Sequence, residues 1–234
     1  MLLIRKADDR FHSNLGWLDS HHTFSFGEHH DAKFDGFRSL RVINDDTVAV
    51  GGGFPTHGHR DMDIISYVIE GALRHQDSMG NGSVIKPGDV QRMSAGTGVR
   101  HSEQNAGDGA THFLQIWLIP DRLGLLPSYE QKFFSVDDKR DRMRLVASGT
   151  RIRDGAVTLH EDAEIFATVL SPGARVEHLI GMGRHAWVHV VRGALALNGE
   201  SLQAGDGAAL SDVASVVLDG TGGADAEALI FDLA

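Results

Sequence analysis

"YVIEGALRHQDSMGNGSVIKPGDVQRMSAG" (residues 67–96) and "HVVRGALALNGESLQAGDGAALSD" (residues 189–212) are two versions of one pattern. Each runs from an apolar stretch into x-Gly-Ala-Leu, through a turn, to x-Gly-Asp, and into a second apolar stretch. The shared glycines are Gly71 and Gly88 in the first copy, Gly193 and Gly205 in the second. Short β-branched runs between such turns are the mark of antiparallel strands. Self-similarity on this scale points to a duplicated unit. The expected fold is therefore all-β, with two diverged β-barrels in one chain joined near residues 125–150.

The surrounding sequence agrees. "HTFSF" (22–26), "SLRVI" (39–43), "DIISYVI" (63–69), "THFLQIWLI" (111–119), "AWVHVV" (186–191) and "ALIFDL" (228–233) read as strands. "NDD", "GNG", "KPGD", "SPGA", "NGE" and "AGD" read as the turns between them. Asn198-Gly199 is a two-residue hairpin signal, because both central residues of a type I′ turn need positive φ. Helical periodicity is scarce, and "RLGLLPSYEQ" (122–131) could form a turn or two of helix at most.

Composition narrows the function classes. The chain of 234 residues is 41% hydrophobic and 23% charged, ordinary values for a globular protein with a sizeable core. A net charge of −10 opposes nucleic-acid binding, and the densest basic stretch, "DDKRDRMR" (137–144), is nearly cancelled by its own acids. With no cysteine, a metal must be held by His, Asp and Glu. No apolar run approaches a membrane span, and the first residues are too short for a signal peptide, so a cytoplasmic location is expected.

Chemistry concentrates in "THGHRDMDIISYVIEG" (56–71). With 14 His in the chain, about 0.8 His-x-His pairs would arise by chance, so His57 and His59 carry little weight alone. Their setting adds more. His101 and Glu103 have the same i, i+2 spacing after the "KPGD" turn, and residues two apart on a strand share a face. Two such pairs on neighbouring strands could aim three imidazoles and a carboxylate at one point, a donor set suited to a first-row ion with a position left open. The second copy serves as an internal control. Equivalent offsets there fall on Leu179 and Gly181, then on Leu218 and Gly220, while His178 and His185 are near misses.

"GFPTHGHRDMDIISYVIEG" followed by "KPGDVQRMSAGTGVRHSEQN" resembles the two cupin motifs in the variant found in pirins. "GWLDSHHTFSF", "LRVINDD", "HQDSMGN", "LQIWLIP" and "YEQKFF" also look like the short bacterial pirins that carry quercetinase activity. The resemblance implies a bicupin, with a metal-binding barrel over residues 1–125 and a barrel lacking the ligands over 126–234. It implies His57, His59, His101 and Glu103 as ligands of one divalent transition-metal ion, iron first, with Mn, Ni, Cu or Zn as alternatives. Two positions depart from the pattern: Asp63 stands where cupins carry glutamate, and Ser94 where they carry proline.

The implied activity is a metal-dependent dioxygenase that opens a flavonol such as quercetin with O2 and releases carbon monoxide, Glu103 acting as the base. Its partners would be a small aromatic substrate and O2, without direct contact to nucleic acid or membrane. The rival reading is a non-catalytic, redox-responsive iron protein acting through a protein partner; a metal-free isomerase is disfavoured by the complete ligand set. Phe54, Met62 and Met93 could wall a substrate pocket or simply pack in the core. Gln115 could hydrogen-bond a metal ligand or be satisfied by backbone. His21, His22, His29 and His30 cannot chelate as adjacent strand residues; His22 could orient something near the site. His75 and His112 are expected to pack or face solvent.

Overall fold

In the computed structural model, which describes residues 1–149 and 155–234, the chain forms two compact units. One comprises Phe11–Phe133 and Val157–Glu161; the other comprises Met1–Arg10, Phe134–Ala156 and Asp162–Ala234. Strand dominates both, and the only α-helix among the described residues is Val136–Lys139.

In the first unit, one antiparallel sheet runs in the order Ser128–Phe133, Asp89–Ser94, Asp63–Glu70, Thr111–Leu118, Leu40–Val48, Leu18–His22, Phe11–Asn14. A second has the order Gly53–His59, Val99–Asn105, Leu73–Asp77, Gly82–Ile85. Alternation along each strand turns every second residue inward, and the register lines these residues up in transverse rows. One row reads His22, Asn44, Gln115, Ser66; the next reads Ser20, Asp46, Phe113, Val68. A third runs Val42, Trp117, Ile64, Met93. The interior is thus polar along one row and apolar along the third.

"NDD" is not a turn. Asn44, Asp45 and Asp46 lie within the strand Leu40–Val48, whose ladder to Thr111–Leu118 is unbroken there. Polar residues survive in this strand because Asn44 Oδ1 meets His22 Nδ1 at 2.8 Å and Asp46 Oδ1 accepts from Ser20 Oγ at 2.5 Å. "RLGLLPSYEQ" is not helical either: Gly124 takes φ of +70°, Pro127 disfavours helix before it, and Ser128–Phe133 forms a strand. The "HTFSF" strand ends at His22, ahead of a tight Phe26–His29 bridge.

The second unit repeats the plan. Its larger sheet includes Leu2–Arg5, Gly207–Ser211, His185–Arg192, Ala226–Leu233, Ala163–Leu170 and Arg144–Ser148 in that order. Its smaller sheet orders Arg175–Leu179, Ser215–Gly220, Ala194–Leu197, Glu200–Gln203. Val188, Leu195, Leu210, Leu218 and Ile230 anchor an apolar core, each contributing about 1.5–3 kcal/mol by leaving water. The repeat glycines play one role in both units. Gly71 and Gly193 have φ of +78° and +76°, and a Cβ on either would come within 2.8 and 2.6 Å of the backbone carbonyls of Ala110 and Asp225, which precede the strands Thr111–Leu118 and Ala226–Leu233. Asn198 and Gly199 both take positive φ, at the hairpin expected there.

Candidate metal centre

The strands Gly53–His59 and Val99–Asn105 bring the two i, i+2 pairs face to face. His57 lies opposite His101, but Glu103 lies opposite Phe54, so three residues on one strand span two on the other. This β-bulge falls at Pro55-Thr56, on an edge strand where proline leaves no ladder bond unmet. The extra residue turns Phe54 to the same side as His57. Gly53 closes the arrangement, since any Cβ there would stand 2.5 Å from the Glu103 carbonyl oxygen.

The ligating atoms of His57, His59 and His101 all lie within 4.8 Å of one another, their rings 4.5–4.9 Å apart. Hydrogen bonds settle which nitrogens are bare. His57 Nδ1 is 2.8 Å from the Pro55 carbonyl oxygen, which can only accept, so Nε2 carries the lone pair. Asp77 takes a hydrogen bond from His75 Nε2 at 3.1 Å. The remaining His75 nitrogen accepts from His101 Nδ1 at 3.4 Å. His101 Nε2 is then a bare, buried nitrogen without a protein partner among the described residues.

Burial, helped by the neighbouring His57, pulls His59 down to about 4. Burial, with His57, His59 and His75 close by, pulls His101 down to about 2. Both are neutral at physiological pH, as ligation requires. Converging bare imidazole nitrogens, one of them buried, fit a divalent first-row ion.

Glu103 sits slightly apart. Its donor atoms group with those of His101 and His75 rather than with His57 and His59. Gln115 Nε2 donates to Oε2 at 2.7 Å and Ser66 Oγ to Oε1 at 3.1 Å, holding both oxygens toward the larger sheet. Burial pushes the Glu103 carboxyl up, against the pull of Gln115. Gln115 thus contacts Glu103 directly.

A cavity of about 260 Å³ opens on these groups, lined by His57, His59, Glu103 and Gln115 and walled by Leu18, Phe26, Phe54 and Trp117. His59 and Trp117 meet edge to face at 5.0 Å. Met62 lines a neighbouring cavity that shares Phe26 and Trp117. Met93 lines neither: it is fully buried with Ile64, Ala95 and Val99, two strands from Trp117 along the third row. Asp63 and Ser94 hydrogen-bond each other and share His160, whose Nδ1 lies 2.8 Å from Ser94 Oγ. Against the effect of burial, hydrogen bonds from His160 and Ser94 hold the Asp63 carboxyl low.

The remaining histidines fall in varied settings. His75 is buried, as packing required, but it also bridges Asp77 and His101 by hydrogen bonds, a role that its i, i+2 partner Asp77 could have signalled. His22 lines the cavity and Asp46 joins it there, while His21 turns outward to stack on His12. His112 pairs with Asp45. In the second unit His178 is held by Asp232 at 2.7 Å and His185 by Ser211 at 2.8 Å.

Residues 5–118 match the Pirin family, and residues 145–233 match the Quercetinase C-terminal cupin domain. The quercetin 2,3-dioxygenase of Escherichia coli K12 is 44% identical over 100% of this chain and 99% of its own. The chain belongs to the pirin family. A pirin-like protein of Caulobacter vibrioides is 38% identical, with all of both chains covered. The structure of the bacterial pirin YhhW of Escherichia coli in complex with nickel(II) superposes with a TM-score of 0.93 at 43% identity, over 100% of this chain and 99% of that one. This pirin is accordingly an all-β bicupin, a metal-binding cupin and an oxidoreductase-type enzyme. No helix among the described residues is long and apolar enough to cross a membrane.

His75→Phe tests the outer hydrogen bond to His101. The ring is kept, both nitrogens go, and His101 loses the acceptor that fixes its tautomer. Metal affinity is expected to fall about 10- to 100-fold, read by competition with a chromophoric chelator for nickel. Unchanged affinity would mean that the strand alone orients His101.

Proposed function

We propose that this pirin is a metal-dependent dioxygenase that opens a flavonol such as quercetin with O2 and releases carbon monoxide. The observation that carries the reading is a set of bare imidazole nitrogens, with Glu103 beside them, at the end of a cavity walled by flat aromatic side chains. His57, His59, His101 and Glu103 would hold the ion, iron being the first choice. When bound, the ion supplies Lewis acidity toward the substrate oxygen and redox chemistry toward O2.

The chain's own residues do the rest. Phe54, Phe26 and Trp117 hold the ring system and exclude water. Glu103 takes the proton of the flavonol hydroxyl, a step suited to a carboxylate whose affinity for protons burial has raised. Gln115 and Ser66 keep that carboxylate aimed. The second unit serves as scaffold.

Loss of quercetin absorbance in air, with carbon monoxide trapped, tests the reading on iron-loaded protein. Consumption with carbon monoxide release is the expected result. A loaded protein that leaves quercetin intact would contradict it and move the weight to a redox-responsive binding role.

A further inference from the structure

Asp46 is a carboxyl group that the scheme above does not use. Leu40–Val48 turns it into the same cavity as Glu103, where it is 3% exposed. Its one side-chain hydrogen bond among the described residues comes from Ser20 Oγ, leaving its other oxygen without a protein partner. Ser20 is itself 1% exposed and lines the cavity, so hydroxyl and carboxyl form a fixed pair across two strands. The register puts Asp46 two residues along its strand from Asn44, the residue opposite Gln115. That is a separation of about 7 Å along the strand from the level of the Gln115–Glu103 bond. The cavity therefore carries two carboxyl groups, Glu103 and Asp46, at different levels along the strands.

Asp46 borders the cavity and its second oxygen has no hydrogen-bond partner among the described residues, so that oxygen is satisfied by whatever occupies the space, water or ligand. We propose that Asp46, held by Ser20, is a second substrate-contacting group, which hydrogen-bonds an additional oxygen substituent of the aromatic substrate. The site would thereby select polyhydroxylated rings over rings bearing a single hydroxy-ketone. Burial, countered by Ser20 and reinforced by nearby Glu103 and Asp45, pushes the carboxyl up to about 7. Asp46 can thus serve as donor or acceptor near neutrality. The inference rests on the flavonol reading of the cavity.

Two measurements keep the inference separate from that reading. Nickel-loaded protein is titrated without oxygen with quercetin and with 3-hydroxyflavone, which lacks the other hydroxyls, following tryptophan fluorescence; turnover in air is measured separately. Wild type is expected to bind quercetin more tightly. Asp46→Leu should weaken quercetin binding about 10- to 100-fold while changing 3-hydroxyflavone less than about threefold. Asp46→Asn, which keeps hydrogen-bonding capacity, should recover most of the loss, with nickel content unchanged in both variants. Equal binding of the two flavonols by wild type, or equal losses for both in Asp46→Leu at full nickel content, overturns the inference. Selective binding without turnover upholds it and rejects the dioxygenase reading instead.

Discussion

His101→Ala is expected to remove bound metal and to abolish flavonol consumption while leaving the fold intact. Its Nε2 is buried and has no hydrogen-bond partner among the described residues, and its ring lies within 5 Å of both His57 and His59. Loss of a direct donor should exceed the roughly 10- to 100-fold that loss of an outer partner costs. Some stability should be lost in the metal-free state, about 1–3 kcal/mol, because the buried His75 loses its donor while the unmet Nε2 goes too. Glu103→Ala should behave alike, whereas His185→Ala, held by Ser211 in the other unit, should affect neither metal nor activity. Metal content by mass spectrometry and a thermal melt decide the matter. Full occupancy in His101→Ala would remove His101 from the site.

Gly53→Ala should impair the centre without touching a ligand side chain. Its Cβ would stand 2.5 Å from the Glu103 oxygen and 2.7 Å from the Gln104 Cα, both backbone atoms that cannot swing away. The two ligand-bearing strands must part at Glu103, at a cost of about 1–3 kcal/mol. A Tm lower by several degrees and markedly weaker metal binding are expected. Gly58→Ala is the control. It lies between His57 and His59, yet its Cβ would find nothing nearer than 3.7 Å. It should keep metal and stability. Equal tolerance of both substitutions would show that strand spacing at Glu103 does not govern the centre.

The duplicated turn pattern and the paired i, i+2 spacings were legible because glycine at positive φ and strand alternation are local properties. Gly71 and Gly193 show this directly, with matching φ and matching close approaches to the carbonyls of Ala110 and Asp225. What depends on pairing across the sheet was not legible. Asn44 and Asp46 look like turn residues until His22 and Ser20 on the adjacent strand satisfy them. Likewise His75 acquires its position from Glu103, which lies opposite it only through the register of Leu73–Asp77 with Val99–Asn105. Pairing of Leu2–Arg5 with Gly207–Ser211 leaves no trace in repeat spacing at all. Met93 has the inward phase of a pocket residue, but the row it shares with Trp117 carries it into the core.

Anomalous diffraction from crystals of the nickel- or iron-loaded protein tests the central claim most directly. The account predicts one strong peak about 2 Å from the Nε2 atoms of His57 and His101, from His59 and from a Glu103 oxygen, with Glu103 turned from its position against Ser66. A peak instead at the His12, Asp19 and His21 group near the surface, or at His75 with His57 and His59 unoccupied, would contradict it.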